Sequence, residues 1–177
     1  VTDPLVRTVR LFRGPTGLVQ EKLEATGARW IYRHDAHANL VELVDPNGGT
    51  TRWEYDALGR TTAYSNAEGA TWRFAYTDLG RLLSEVTANG GTFRHSYDAC
   101  GRRCQIVDPD GRSFKAEWGH LNKVRATVEP DGRTQRTFFN REGWTAEVHN
   151  AKGEVERFEL DSAGYVVAEH TFDGRTR

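Results

Sequence analysis

Few residues in this chain have the types and spacing that chemistry needs. The densest group is His34-Asp35-Ala36-His37, in which two imidazoles and a carboxylate within four residues resemble a set of metal ligands. His149 and His170 form a second pair, 21 positions apart. Cys100 and Cys104 are the two cysteines of the chain. They flank Gly101 and are expected to remain free thiols rather than a disulfide framework. A row of cations, Arg10, Arg52, Arg73, Arg94, Lys115, Arg136 and Arg157, could follow a polyanion. Rows of tryptophan, tyrosine and phenylalanine could stack on sugar rings. A phosphate-cradling loop, a nucleophile elbow and a Cys-x-x-Cys pair are all missing from the sequence.

Each of these groups falls on a period, and the period explains them more simply. Glycine stands at 27, 48, 69, 90, 111, 132, 153 and 174, a step of 21. A second series with the same step reads Gly17, Ala38, Gly59, Gly80, Gly101, Asn122, Gly143 and Gly164. Asn122 is there a frequent substitute for glycine where φ is positive. Segments such as Asp108-Pro109-Asp110-Gly111 and Asp45-Pro46-Asn47-Gly48 have the chemistry of a type I turn ending in a left-handed residue. Tyr55-Asp56-Ala57-Leu58-Gly59-Arg60 and Tyr97-Asp98-Ala99-Cys100-Gly101-Arg102 supply the second turn of each period. Two turns per 21 residues leave two strands of about five to seven residues, so each period is a β-hairpin.

On this frame His34 to His37 is a degenerate copy of the Tyr-Asp-Ala-Leu turn. His149 and His170 lie about 10 Å apart across an intervening strand, too far for shared coordination. Asp56 and its equivalents read as turn formers before catalytic carboxylates. Alternation places three aromatic rows on one face of the sheet: Trp30, Trp72, Phe93, Phe114; Tyr32, Trp53, Phe74, Phe158; and Tyr55, Tyr76, Tyr97, Trp118, Phe139. The cation row, broken by Ile31, lies on the other face with Glu54, Glu117 and Glu159.

The composition fits that division. Of 177 residues 37% are hydrophobic, mean hydropathy is −0.68, and 19 are aromatic (5 Trp, 6 Tyr, 8 Phe), so rings rather than aliphatic bulk supply the packing. Net charge is −1, from 24 basic and 25 acidic residues, which gives no global field for nucleic acid or acidic membranes. No apolar run reaches the length of a membrane span. The chain contains no methionine and begins at Val1, so it is read as a single array over 1–177 belonging to a larger protein. Sixteen strands would form a sheet about 77 Å wide if unrolled, and a twisted sheet that wide must coil. A four-bladed propeller, two periods per blade, is the rival fold.

The hexapeptide Tyr-Asp-x-x-Gly-Arg within a 21-residue period resembles the YD repeat of the Rhs family, shared with teneurins and the C component of bacterial toxin complexes. The residues that carry the likeness are Tyr55, Asp56, Gly59, Arg60; Tyr76, Gly80, Arg81; and Tyr97, Asp98, Gly101, Arg102, with Gly48, Gly69, Gly90, Gly111 and Gly132 at the second turn. Thr77 replaces the aspartate of the middle copy. The end copies depart further, with Arg13, His34, Trp118, Phe139 and Leu160 in place of tyrosine, and Leu18, Asn39, Trp144 and Tyr165 in place of arginine. The resemblance implies an all-β, antiparallel, spiralling sheet forming part of a hollow shell. It further implies a wall around a C-terminal polypeptide, often a toxin, in an exported or cell-surface protein used in competition between bacteria. The partners would then be the rest of the parent, its cargo and the secretion machinery. No cofactor, metal, nucleic acid, membrane insertion or catalytic residue is expected. A surface module binding carbohydrate or protein through the aromatic rows is the alternative, and an enzyme the third.

Overall fold

The computed structural model describes residues 8–177. Sixteen strands form one antiparallel sheet whose spatial order is the chain order, rather than separate four-stranded blades. By internal contacts the chain divides into two units, residues 1–92 and 93–177.

The first unit carries β1 (Arg10–Arg13), β2 (Val19–Leu23), β3 (Arg29–His34), β4 (Leu40–Val44), β5 (Thr50–Tyr55), β6 (Thr61–Ser65), β7 (Thr71–Tyr76) and β8 (Leu82–Val86). The second is built on β9 (Thr92–Tyr97), β10 (Arg103–Val107), β11 (Ser113–Trp118), β12 (Val124–Val128), β13 (Thr134–Phe139), β14 (Thr145–His149), β15 (Val155–Leu160) and β16 (Val166–His170). Apart from the four-residue β1, every strand is five or six residues long, within the five to seven that the pattern suggested.

The turns follow from residue chemistry. Asp56 N–H donates to Arg60 O, and Gly59 N–H donates to Asp56 O, both at 3.0 Å. Gly59 sits at φ +76°, where a side chain would be strained. The substitutes in this series obey the same demand: Ala38 has φ +68° and Asn122 φ +55°. The departures from the motif in the first two periods therefore do not interrupt the hairpins β1–β2 and β3–β4.

Each turn of the Asp-x-x-Gly type is followed by a β-bulge. Tyr55 pairs with Thr61 but Glu54 pairs with Ala63, leaving Thr62 as the extra residue. The same slip occurs between Ala75 and Tyr76, Glu117 and Trp118, Phe138 and Phe139, and Glu159 and Leu160. Cys104 is the bulge residue of β10, between Arg103 and Gln105, while Cys100 lies in the turn. Cys104 thus lies beyond the turn, as the second residue of the strand that follows it. Both are free.

Burial is shallow throughout. Ala63 (6% exposed) and Ala126 (3%) are the buried apolar residues among those described, and no large side chain is fully enclosed. The two faces differ as the alternation requires. In β7, Trp72, Phe74 and Tyr76 are half-buried while Arg73 and Ala75 are exposed.

Candidate functional site

The signature residues converge on the junction between successive hairpins. Asp56 comes first. Its Oδ1 accepts the backbone N–H of Leu58 at 2.9 Å and of Arg60 at 3.0 Å. Its Oδ2 accepts Arg60 Nε–H at 2.6 Å. One carboxylate thus closes the turn and fixes the arginine rotamer. The Arg60 backbone bond, with help from the guanidinium and Leu58 N–H, holds the Asp56 carboxyl below the ordinary carboxylate range against the cost of burial.

Held in this way, Arg60 reaches into the next period. Its Nη1 donates to Thr77 O at 3.0 Å, and its Cζ lies 4.9 Å from the centroid of the Tyr76 ring, a cation–π contact. Tyr76 returns the contact: its Oη donates to Thr61 O at 2.7 Å. Arginine reaches forward and tyrosine backward, so the two residues close a reciprocal staple between neighbouring hairpins.

The second unit repeats the arrangement. Asp98 accepts Cys100 and Arg102 backbone N–H groups at 3.0 and 2.9 Å, and Arg102 Nε–H at 2.8 Å. The Arg102 guanidinium leads the effects that lower the Asp98 pKa. Arg102 Cζ lies 5.5 Å from the Trp118 ring, and its Nη1 donates to Gly119 O at 3.4 Å and Asn122 Oδ1 at 3.3 Å. Trp118 Nε1–H donates to Arg103 O at 3.0 Å. Tryptophan therefore fills the tyrosine position without losing the returning bond. At the next junction Lys123 stands over Phe139 at 5.1 Å and its Nζ donates to Gly143 O, but Phe139 has no hydroxyl to return. In the first unit Tyr55 Oη donates to Leu40 O at 2.8 Å, whereas Asn39 turns back to Asp35 Oδ2 at 3.0 Å and makes no forward reach.

The glycines of the other turn series, Gly48, Gly69, Gly90, Gly111 and Gly132, all have positive φ, as do Gly80 and Gly101. Three contributors escaped the sequence reading. Arg112 closes on Asp108 at 2.7 Å from Nε, because Asp108-Pro109-Asp110-Gly111-Arg112 also spells Asp-x-x-Gly-Arg. That spelling was a usable signal. Tyr64 inserts between Trp53 and Trp72, with ring centroids 5.9 and 5.4 Å away, and has no aromatic counterparts at its position in other periods. Glu42 takes two cations, Arg33 and Arg52, the latter at 3.0 Å.

The groups with potential chemistry resolve into structure. Asp35 Oδ1 accepts the backbone N–H of His37 and of Asn39, both at 2.9 Å, as in the other turns. His149 contacts Glu147 at 2.8 Å and packs on Phe138, with centroids 4.4 Å apart. His170 contacts Glu159 at 2.9 Å. Among the described residues, no group of three or more His, Cys, Asp or Glu is placed to hold a metal. Among the described residues no helix is long and apolar enough to cross a membrane.

Comparisons with known proteins agree with this geometry. The family model described as RHS Repeat matches residues 37–71, 55–92 and 76–113. Teneurin-m of Drosophila melanogaster is 36% identical over 45 residues, covering 25% of this chain and 2% of that protein. The structure of the Photorhabdus luminescens Tc holotoxin pore superposes with a TM-score of 0.64 at 10% identity, over 93% of this chain and 12% of the matched chain. The crystal structure of TcdB2-TccC3-TEV gives 0.57 at 15% identity, over 94% and 12%. At these identities the superpositions show the fold. The chain spans a small fraction of each of these proteins.

Proposed function

We propose, from the premise that this chain is an RHS/YD-repeat protein, that it is a structural wall segment: a single array, part of a larger protein, within a spiralling β-shell that encloses a C-terminal polypeptide. The observation that carries this is the sheet itself. Sixteen strands follow one another in one sheet, with reciprocal staples at the Arg60–Tyr76 and Arg102–Trp118 junctions, and the sheet has one aromatic and one charged face. Such a surface extends by adding hairpins, each supported by its neighbours. The signature residues Tyr55, Asp56, Arg60, Tyr76, Arg81, Tyr97, Asp98 and Arg102, with their turn glycines, set the register of the wall and perform no catalysis.

The enclosed polypeptide is a toxin delivered between bacteria by contact or secretion, and the parent is exported or displayed at the cell surface. Its partners are the remainder of the parent, the cargo and the secretion machinery. Neither nucleic acid nor an inserted membrane takes part, and no cofactor is used. Limited proteolysis of the full parent, with and without these eight periods, tests the reading. Protection of the downstream polypeptide only when the segment is present is the expected result; equal digestion of both forms would overturn it.

A second reading, an extracellular module that recognises carbohydrate or protein through its rings, is favoured by one feature. Trp53, Tyr64 and Trp72 form a half-exposed aromatic run. Quenching of tryptophan fluorescence by a neutral glycan, abolished by Trp53→Ala, would support it.

A further inference from the structure

The cation row on the polar face is not uniform. Where an acid stands opposite on the preceding strand, the cation is neutralised. Glu42 faces Arg52 and binds it at 3.0 Å, and Glu147 faces Arg157 and binds it at 2.9 Å. In the second unit the same position is neutral at two successive periods. Gln105 faces Lys115 and Ala126 faces Arg136, while Arg94 lies opposite Val107 on the strand that follows. Gln105 donates to Ser113 at 2.7 Å instead.

The nearby acids are engaged elsewhere: Glu117 with Arg125 at 3.3 Å, and Glu147 with His149 and Arg157. Among the described residues, no carboxylate lies within ion-pair distance of Arg94, Lys115 or Arg136, and all three are exposed. Of the seven cations in the row, Arg52 and Arg157 are ion-paired, and in the second unit Arg94, Lys115 and Arg136 stand unpaired in succession, two strands apart, about 10 Å from one to the next. Beside the last of them Phe138 is 44% exposed.

We propose that the polar face of β9–β13 is a binding strip for a linear sulfated polysaccharide, with Arg94, Lys115 and Arg136 contacting successive sulfate groups and the Phe138 ring lying against a sugar. Guanidinium forks match the planar geometry of an oxyanion edge, and the ammonium of Lys115 serves as a point charge between them. Nucleic acid fits less well. Each strand of a duplex presents a phosphate about every 3.4 Å along the axis, so cations about 10 Å apart would meet roughly one in three. Base stacking also asks for rings interleaved with the charges, and Val107, Gln105, Val128 and Ala126, which face these cations from the intervening strands, are not aromatic. A polysaccharide charged once per disaccharide has a more open pitch and a flat face suited to one ring. The strip does not depend on the containment reading, because it concerns the charged face of this chain whether or not a shell closes.

The test is binding of the 177-residue chain to κ-carrageenan oligosaccharides, which carry one sulfate per disaccharide, to the same oligosaccharides after desulfation and to polyuridylate, each across a salt series. The expected result is retention on the sulfated oligosaccharides alone, weakening with salt. The R94Q/K115Q/R136Q variant should lose at least tenfold in affinity, with a log–log salt slope about two to three units shallower. The charge-matched control R29Q/R52Q/R175Q removes three cations that are already paired, and it should bind as the parent chain does. Equal loss in both variants, no loss in the first, tighter binding of polyuridylate, or no retention at low salt would each overturn the proposal. Circular dichroism of both variants separates loss of the strip from loss of the fold.

Discussion

At the scale of the residue, the staple explains why tyrosine, aspartate and arginine occur together. The aspartate has two jobs, closing its own turn and aiming the arginine, and the arginine then serves two acceptors in different hairpins. Lysine keeps the charge but cannot donate from two sites held in a fixed plane. Tyr76→Phe removes the bond to Thr61 O and should cost about 1 kcal/mol in denaturant unfolding. Arg60→Lys should also destabilise, and the double variant should lose less than the sum, because either change alone loosens the same junction. Strict additivity would show that the two contacts are independent. The carboxylates carry a second expectation. Asp56, Asp98 and Asp108 all have lowered pKa values in the fold, Asp108 against a burial effect that its partner Arg112 helps to overcome. A folded value below the unfolded one contributes stability above the ordinary carboxylate range, and that contribution disappears as pH falls through the lowered values. The melting temperature should therefore hold from pH 7 to about 5 and fall below about pH 4, less steeply in high salt. A melting temperature unchanged down to pH 2 would contradict this.

At the scale of the element, the sixth period shows what the motif does by lacking it. Gly119 stands where the other turns have Asp56 or Asp98, so the N–H groups of the turn have no carboxylate to bind. Gly119 N–H still donates to Lys123 O at 2.8 Å, as in the regular turns, but the inner bond differs: Lys123 N–H donates to His120 O at 3.3 Å, with Leu121 at φ +60° and Asn122 at φ +55°. A non-glycine residue in that region is strained, and here two stand in succession. A Cβ at position 119 would meet Arg125 Cβ at 3.4 Å, an ordinary contact, so a side chain fits. The G119D/N122G double variant should restore the Asp-x-x-Gly turn and stabilise by about 1 kcal/mol, or about 2–4 °C in melting temperature for a chain of this length. A lower melting temperature would mean that the left-handed pair is the better solution. The same elements show how far the sequence could be read. Glycine periodicity located every hairpin, and alternation placed Trp72, Phe74 and Tyr76 on one face, because the strand before the signature turn has no bulge within it. The following strand was opaque for the opposite reason. The extra residue at Thr62 shifts the alternation by one, so Tyr64 joins the aromatic face, opposite Trp53, while Ala63 lies under the charges. The staple itself was hidden: Arg60 and Tyr76 are 16 residues apart, and only strand register brings them together.

At the scale of the whole molecule, stability is a sum over junctions, and the junctions depend on register more than on any single sequence. Each hairpin contacts its neighbours and is held by contacts that recur every 21 residues, so the array should tolerate loss of a full period better than loss of part of one. Deleting residues 103–123 joins Arg102 to Val124. It removes the irregular turn and brings Arg102 to the junction that Lys123 now occupies, facing Phe139 and the carbonyl of Asn140. Aromatic rows stay aligned with aromatic rows and the Arg136 row with its own face. Deleting residues 103–122 retains one residue more. In a sheet a slip of one moves each side chain to the opposite face, which would place Arg136 among rings and Phe139 among charges unless a turn absorbs the extra residue. The first deletion should therefore keep the β-sheet circular dichroism and a cooperative melt, lowered by the loss of one period. The second, although shorter by one residue fewer, should melt at a lower temperature or aggregate. Equal melting of the two would mean that the turns accommodate slippage freely, and that the 21-residue spacing is inherited from the repeat rather than enforced by the staples. The opposite order would show that the sixth period, despite its irregular turn, contributes contacts that no regular junction can replace.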